Sequence, residues 1–211
     1  TTDGSGNATV VNATALNFIA SGIGGNLSAT ATAGNITQST GALTVGGTST
    51  LVTTAQEATI DLSTITTNAF TGAVTITTND NAGADADVII DGGTTALIVA
   101  ASTIDGDLTL TSGATAGITD SATVTVLGDI YLITDAGNGV IDMGTLAVTG
   151  SVDLATHNNG DATVVNATAL DFAASTVGGE LTATATTGDI TQSGSLDING
   201  TGTTTITAPA S

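Results

Sequence analysis

Lysine and arginine are absent from the 211 residues, against nineteen acidic ones, for a formal net charge of -19. Neutralising a phosphate backbone takes cations that displace condensed counterions, so nucleic acid is excluded as a partner, and attraction to an anionic membrane surface fails for the same reason. Cysteine is absent too. That removes disulfide frameworks and thiolate metal sites, leaving packing and hydrogen bonds to hold the fold. No stretch of about 18 consecutive apolar residues predicts a membrane span, so no direct membrane insertion is expected, and no basic segment followed by an apolar one marks a signal peptide. The chain opens at Thr1 without Met, as a processed chain or a window of a longer one would.

Aromatic residues make up 2% of the chain, namely Phe18, Phe70, Phe172 and Tyr131, and there is one proline. A thick globular core ordinarily draws on more rings than that. Yet 40% of the residues are hydrophobic and mean hydropathy is +0.39, too apolar for a disordered linker. Ala, Val, Ile and Leu supply this apolarity, interleaved with Thr and Gly. No run of good helix formers is free of Gly or β-branched residues. The composition predicts an all-β fold.

Repetition organises the chain. Residues 8–39 and 162–193 align without a gap at an offset of 154, with about three-quarters identity, including ATVVNATAL in both. A third, weaker copy begins at Ala96 with ALIVAASTIDGDL, which divides the offset into steps of 81 and 73 residues. This alignment sets Leu16, Leu97 and Leu170 in one core column, with Phe18, Val99 and Phe172 beside it. It also aligns Asn12, Asp91 and Asn166, each after an apolar pair, as turn positions where a short polar side chain caps the backbone. The units are 1–14 (partial), 15–95, 96–168 and 169–211 (partial), within one continuous domain over 1–211.

A finer rhythm runs inside the units. Gly precedes a short alternating segment in GNLSATA at 25, GTSTLVT at 47, GAVTITT at 72, GDLTLTS at 106, GDIYLIT at 128, GSVDLAT at 150 and GELTATA at 179. Alternation of small or apolar residues with Thr, Ser or Asp is the period-2 mark of a strand with one buried face. Strand starts recurring every 20–30 residues are the spacing of a β-solenoid, in which each coil stacks on the last. At about 4.8 Å per coil, some nine coils make a rod of roughly 40–45 Å.

The phrases ASTVGGEL (174–181), GDITQSGSL (188–196), AFTGAVTI (69–76) and ASTIDGDL (101–108) resemble repeats of filamentous haemagglutinin-like and other giant bacterial surface adhesins. The resemblance covers almost the whole chain. It implies a right-handed parallel β-helix, secretion, an extracellular or bacterial cell-surface location, and a role as stalk or adhesive fibre.

Candidate chemistry is sparse. His157, the single histidine, sits in the corner THNNGDA without the convergent partners a metal site or triad needs. No G-x-S-x-G elbow and no paired carboxylates occur, so a non-catalytic protein is expected. The segment NDNAGADAD (79–87) gathers Asp80, Asp85 and Asp87, hard oxygen donors of the kind calcium takes, although its spacing matches neither an EF-hand nor a β-roll nonapeptide. Calcium is the one cofactor considered; otherwise none is expected. N-x-S/T sequons fall at Asn7, Asn12, Asn26, Asn35, Asn166 and Asn199.

The leading expectation is a stiff acidic segment of a giant fibre, whose partners are neighbouring repeats or like chains, other cell surfaces or glycans. The alternatives are a self-assembling sheath or filament subunit, and a Thr-rich face that binds glycan or ice. The last requires an unbroken Thr-x-Thr column on one flat face.

Overall fold

The computed structural model describes residues 1–79 and 85–209. Among these residues there are twenty-four strands and no helix. They form two twelve-stranded parallel sheets, wound as a β-solenoid of about nine turns. The first sheet begins with Ala8–Asn12 and the second with Leu16–Ile23. All seven Gly-led segments contribute strands, from Leu27–Ala31 to Leu181–Ala185.

Alternation decides which side chains enter the core. In Leu108–Ser112 and Ile130–Thr134 every second residue is buried, and Leu108, Leu110, Ile130 and Leu132 are fully enclosed. The inward side chains of both sheets merge into one cluster running from Phe18 to Ala185. Each enclosed Val, Leu or Ile contributes about 1.5–3 kcal/mol, whereas ordering the backbone costs about 1–2 kcal/mol per residue. A lone coil cannot meet that cost, so stability resides in stacking. The same geometry accounts for the scarcity of rings: the space between sheets is filled by equivalent aliphatic positions from coil to coil.

Register partners in successive coils lie from 19 residues apart (Ala8 and Leu27) to 28 (Ile60 and Val88). The two strong copies reproduce each other's pairing. Ala8 pairs with Leu27 as Ala162 does with Leu181, and Leu16 with Ile36 as Leu170 does with Ile190. Seven coils separate these pairs, so the 154-residue offset averages 22 residues per coil.

The middle copy departs from the sequence alignment. Leu97 and Val99 pair with Ile118 and Asp120 on the first sheet, whereas Leu16, Phe18, Leu170 and Phe172 lie on the second. Asp91 likewise ends a strand of the second sheet, opposite to Asn12 and Asn166 on the first. The aligned trios therefore form neither one core column nor one turn column. Steps of 81 and 73 residues each advance the chain by about three and a half coils. A short alternating strand followed by a Gly-led corner suits either sheet, because both face the same core, and so the phrase recurs on opposite sides.

Even the strong copies slide. Followed coil by coil, the register line of Leu16 runs through Ile36, Ile60, Val88, Leu108, Ile130 and Val152 to Phe172, not to Leu170. Over seven coils the pattern has moved by two residues along the sheet. That shift preserves which face is buried, since the side-chain period is two.

Candidate functional site: the ladders of the coil corners

At several corners the residue that precedes a strand holds the coils in step. On the second sheet the Asp107 N–H donates to Asp87 Oδ1 (2.9 Å), the Asp129 N–H to Asp107 Oδ1 (2.7 Å) and the Ser151 N–H to Asp129 Oδ1 (2.6 Å). On the first sheet the Asn26 N–H donates to Asn7 Oδ1 (2.8 Å) and the Thr48 N–H to Asn26 Oδ1 (3.0 Å), and in the second copy the Glu180 N–H donates to Asp161 Oδ1 (2.8 Å). Each rung satisfies an amide that would otherwise reach the corner unpaired. At most of these rungs the residue before the recipient lacks a Cβ, since one built on Gly106, Gly128, Gly150 or Gly179 would overlap the ladder oxygen of Asp87, Asp107, Asp129 or Asp161; the rung from the Thr59 N–H to Asn35 Oδ1 (3.1 Å) forms beside Ala58 instead. In these corners the Gly and the Asn or Asp that follows it are two halves of one contact made in adjacent coils.

Where the ladder is built of aspartates, like charges are stacked at the strand spacing of about 4.8 Å. Burial pushes the Asp107 carboxyl above its ordinary range; the hydrogen bond from Asp129 opposes this, and the charges of Asp87, Asp129 and Asp85 add to it. Tyr131, between Thr109 and Asp153 in register, is raised first by burial and then by Asp129, Asp107 and Asp153. Burial also raises Asp153 and Asp91.

Of the three acids singled out for calcium, Asp80 lies outside the described residues. Asp85 is exposed, and Asp87 carries the first rung of the ladder. Among the described residues no group of three or more His, Cys, Asp or Glu side chains is placed to hold a metal ion. His157 is exposed, its Nδ1 2.8 Å from Gly137 O.

Asn12, Asp91 and Asn166 each cap a turn, although on different sheets. Asn12 Nδ2 donates to Ala15 O (2.6 Å), Asn166 Nδ2 to Ala169 O (2.7 Å), and the Gly93 N–H to Asp91 Oδ1 (2.7 Å). Asn166 also bonds both backbone groups of Val148 in the coil beneath. It is 1% exposed, which closes that sequon to a glycan.

A further polar cluster went unread in the sequence. Asn68, 1% exposed, accepts from Gln38 Nε2 (2.7 Å) and from the Leu43 N–H (2.8 Å), and donates to Gln38 Oε1 (3.0 Å) and Leu62 O (2.9 Å). The signal was the glutamine kept in both copies, GNITQS and GDITQS.

Among the described residues, outward threonines line up on the first sheet, but the line that holds most of them is broken. The register line Val11, Thr30, Val52, Thr77, Thr103 and Thr125 is interrupted by valine and passes to Ala147.

No curated protein and no solved structure matches the chain. A family model described as repeats of unknown function (DUF5649) matches residues 5–77 and 159–211. The two matches begin 154 residues apart, the seven-coil offset at which the pairing recurs, and together they cover more than half of the sequence. This repeat protein belongs to the DUF5649 family.

Proposed function

We propose that the chain is a non-catalytic structural segment of a very large secreted or cell-surface fibre, of the filamentous haemagglutinin-like kind, in which stacked coils act as a stiff acidic stalk. The observation that carries this reading is the recurrence of one pairing pattern after seven coils. Such a pattern lengthens by duplication, because each coil needs only its neighbours. The ladders favour stiffness, since every corner they occupy is fixed to the next by a side-chain bond. A charge of -19 with no cation keeps rods apart at low ionic strength and lets them approach when salt or a divalent cation screens it.

Cryo-electron microscopy of the native material tests the proposal. A rod with an axial repeat near 4.8 Å, decorated on intact cells by antibody against this segment, is the expected result. Label confined to the cell interior, or a compact particle without that repeat, would overturn it.

A further inference from the structure

The two strong copies differ in what lies on them. Phe18, Ile36 and Leu43 of the first copy are buried, and Gln38 is 4% exposed, beneath the coil that carries Ile60, Asn68 and Phe70. Their counterparts Ile190 and Leu196 are half-buried and Gln192 is exposed, around a groove of about 510 Å³ that also touches Phe172 and Ile206. Ser21 pairs with Leu43 as Ser175 does with Leu196. Gln38 Nε2 bonds Gly41 O at 2.9 Å, and Gln192 Nε2 bonds Gly194 O at 3.3 Å. Half of the Gln–Asn clamp is thus preformed in the second copy. Ser195 O and the Asn199 N–H bond back to Ser175 and Val177, so strand alternation points the Leu196 N–H toward the groove.

We infer that this groove is a docking surface for one kind of partner, a coil of the same repeat that brings an asparagine to the place Asn68 occupies over Gln38. The occupant is identified by the chain's own first copy, where the same face is covered by such a coil. The asparagine amide sets register: its oxygen takes the Leu196 N–H and one Gln192 hydrogen, and its nitrogen returns a bond to Gln192 Oε1. A coil slipped by one residue would place the counterpart of Thr67 or Ala69 there, neither of which carries a side-chain amide to take and return these bonds, and leave groups unpaired in the core. The inference rests on the repeat architecture and not on where the fibre resides.

The experiment joins residues 1–196 to residues 44–211, which continues the first copy's order after Leu196, and follows hydrogen exchange at the Leu196 amide. We expect exchange slower than in the starting chain by about 100-fold or more, and a return of about tenfold or more when the Asn68 of the added segment alone is changed to Ala. An unchanged Leu196 rate, an added segment that chymotrypsin removes while residues 1–196 stay folded, or protection indifferent to that Asn→Ala change would each overturn the inference. Failure of the cell-surface reading would leave these outcomes untouched.

Discussion

The backbone N–H of Asp129 donates to Oδ1 of Asp107 at 2.7 Å, while Asp107 donates its own N–H to Asp87 one coil below. Each aspartate is therefore acceptor for the coil above and donor to the coil beneath. The arrangement couples two opposing effects. The charge-assisted bond favours the ionised carboxylate, and the neighbouring carboxylates with partial burial disfavour it. Burial and repulsion win, because the Asp107 carboxyl ends above its ordinary range.

Asparagine at this rung should be better than aspartate at neutral pH. It keeps the accepting oxygen and removes the charge, as Asn7 and Asn26 do on the other sheet. Asp107→Asn is expected to stabilise the protein at pH 7 by about 0.5–1 kcal/mol, the size of a like-charge pair on facing strands. Thermal unfolding should show Tm raised by about 1–4 °C at pH 7, with the gain disappearing near pH 4. A lower Tm at pH 7 would mean that the charged bond outweighs the repulsion.

The whole chain should gain stability on mild acidification. Asp91, Asp107 and Asp153 have folded-state values raised above the ordinary 3.8, so the native state binds protons more tightly than the unfolded one. Stability then falls as pH rises from about that ordinary value through the raised ones, and recovers on titrating back. The absence of Lys and Arg removes the usual counterweight, the salt bridges whose carboxylates must be protonated at acid pH. Circular dichroism melts between pH 7 and pH 4 should show a rising Tm, and added salt should raise Tm at pH 7 more than at pH 4 by screening the repulsion. Tm falling steadily from pH 7 to pH 4 would contradict the sign of these shifts.

Gly128 and Gly144 offer a controlled comparison. A Cβ on Gly128 would overlap Asp107 Oδ1 and lie 2.7 Å from the Gly106 carbonyl carbon, whereas one on Gly144 meets nothing nearer than Asp120 Oδ1 at 3.9 Å. Gly128→Ala is expected to cost about 1–3 kcal/mol, as overpacking does, and Gly144→Ala to stay within about 0.5 kcal/mol. Urea midpoints of the two variants decide it: equal midpoints would remove the steric account of the Gly-Asp motif.

Alternation made the strands legible before any coordinates: GDLTLTS and GDIYLIT announce their buried Leu and Ile by position alone. The stacking of coils followed from their spacing. What escaped was the side of the solenoid on which a phrase lies. ALIVAAS and ALNFIAS look alike because the local demands of a strand and corner are the same on both sheets, and only the count of coils between Leu16 and Leu97 tells them apart. The Gln38–Asn68 clamp escaped for a related reason. Its members are 30 residues apart and one lies outside any strand, so no local period links them. Asp87 looked like a free ligand because a ladder rung is visible only once the coil above is in place.

Asn12 and Asn166, alike in sequence, should differ sharply on mutation. Both bond the turn that follows them, at 2.6 Å and 2.7 Å. Asn166 also sits over a described coil, where its Oδ1 takes the Val148 N–H at 2.8 Å and its Nδ2 reaches Val148 O at 3.0 Å. Removing it leaves the buried Val148 N–H without this partner and Val148 O with Thr168 Oγ1 at 3.3 Å, at about 1–3 kcal/mol for a buried group left unmade, while water can replace the bond to the exposed Ala169. Asn166→Ala is therefore expected to cost about 2–3 kcal/mol, lowering Tm by about 4–12 °C in a chain of this size. Asn12→Ala breaks exposed bonds that water replaces, and its cost should remain near 0.5–1 kcal/mol. Melting the two variants side by side tests whether a repeated residue takes its worth from the coil beneath it; equal losses would place that worth in the turn alone.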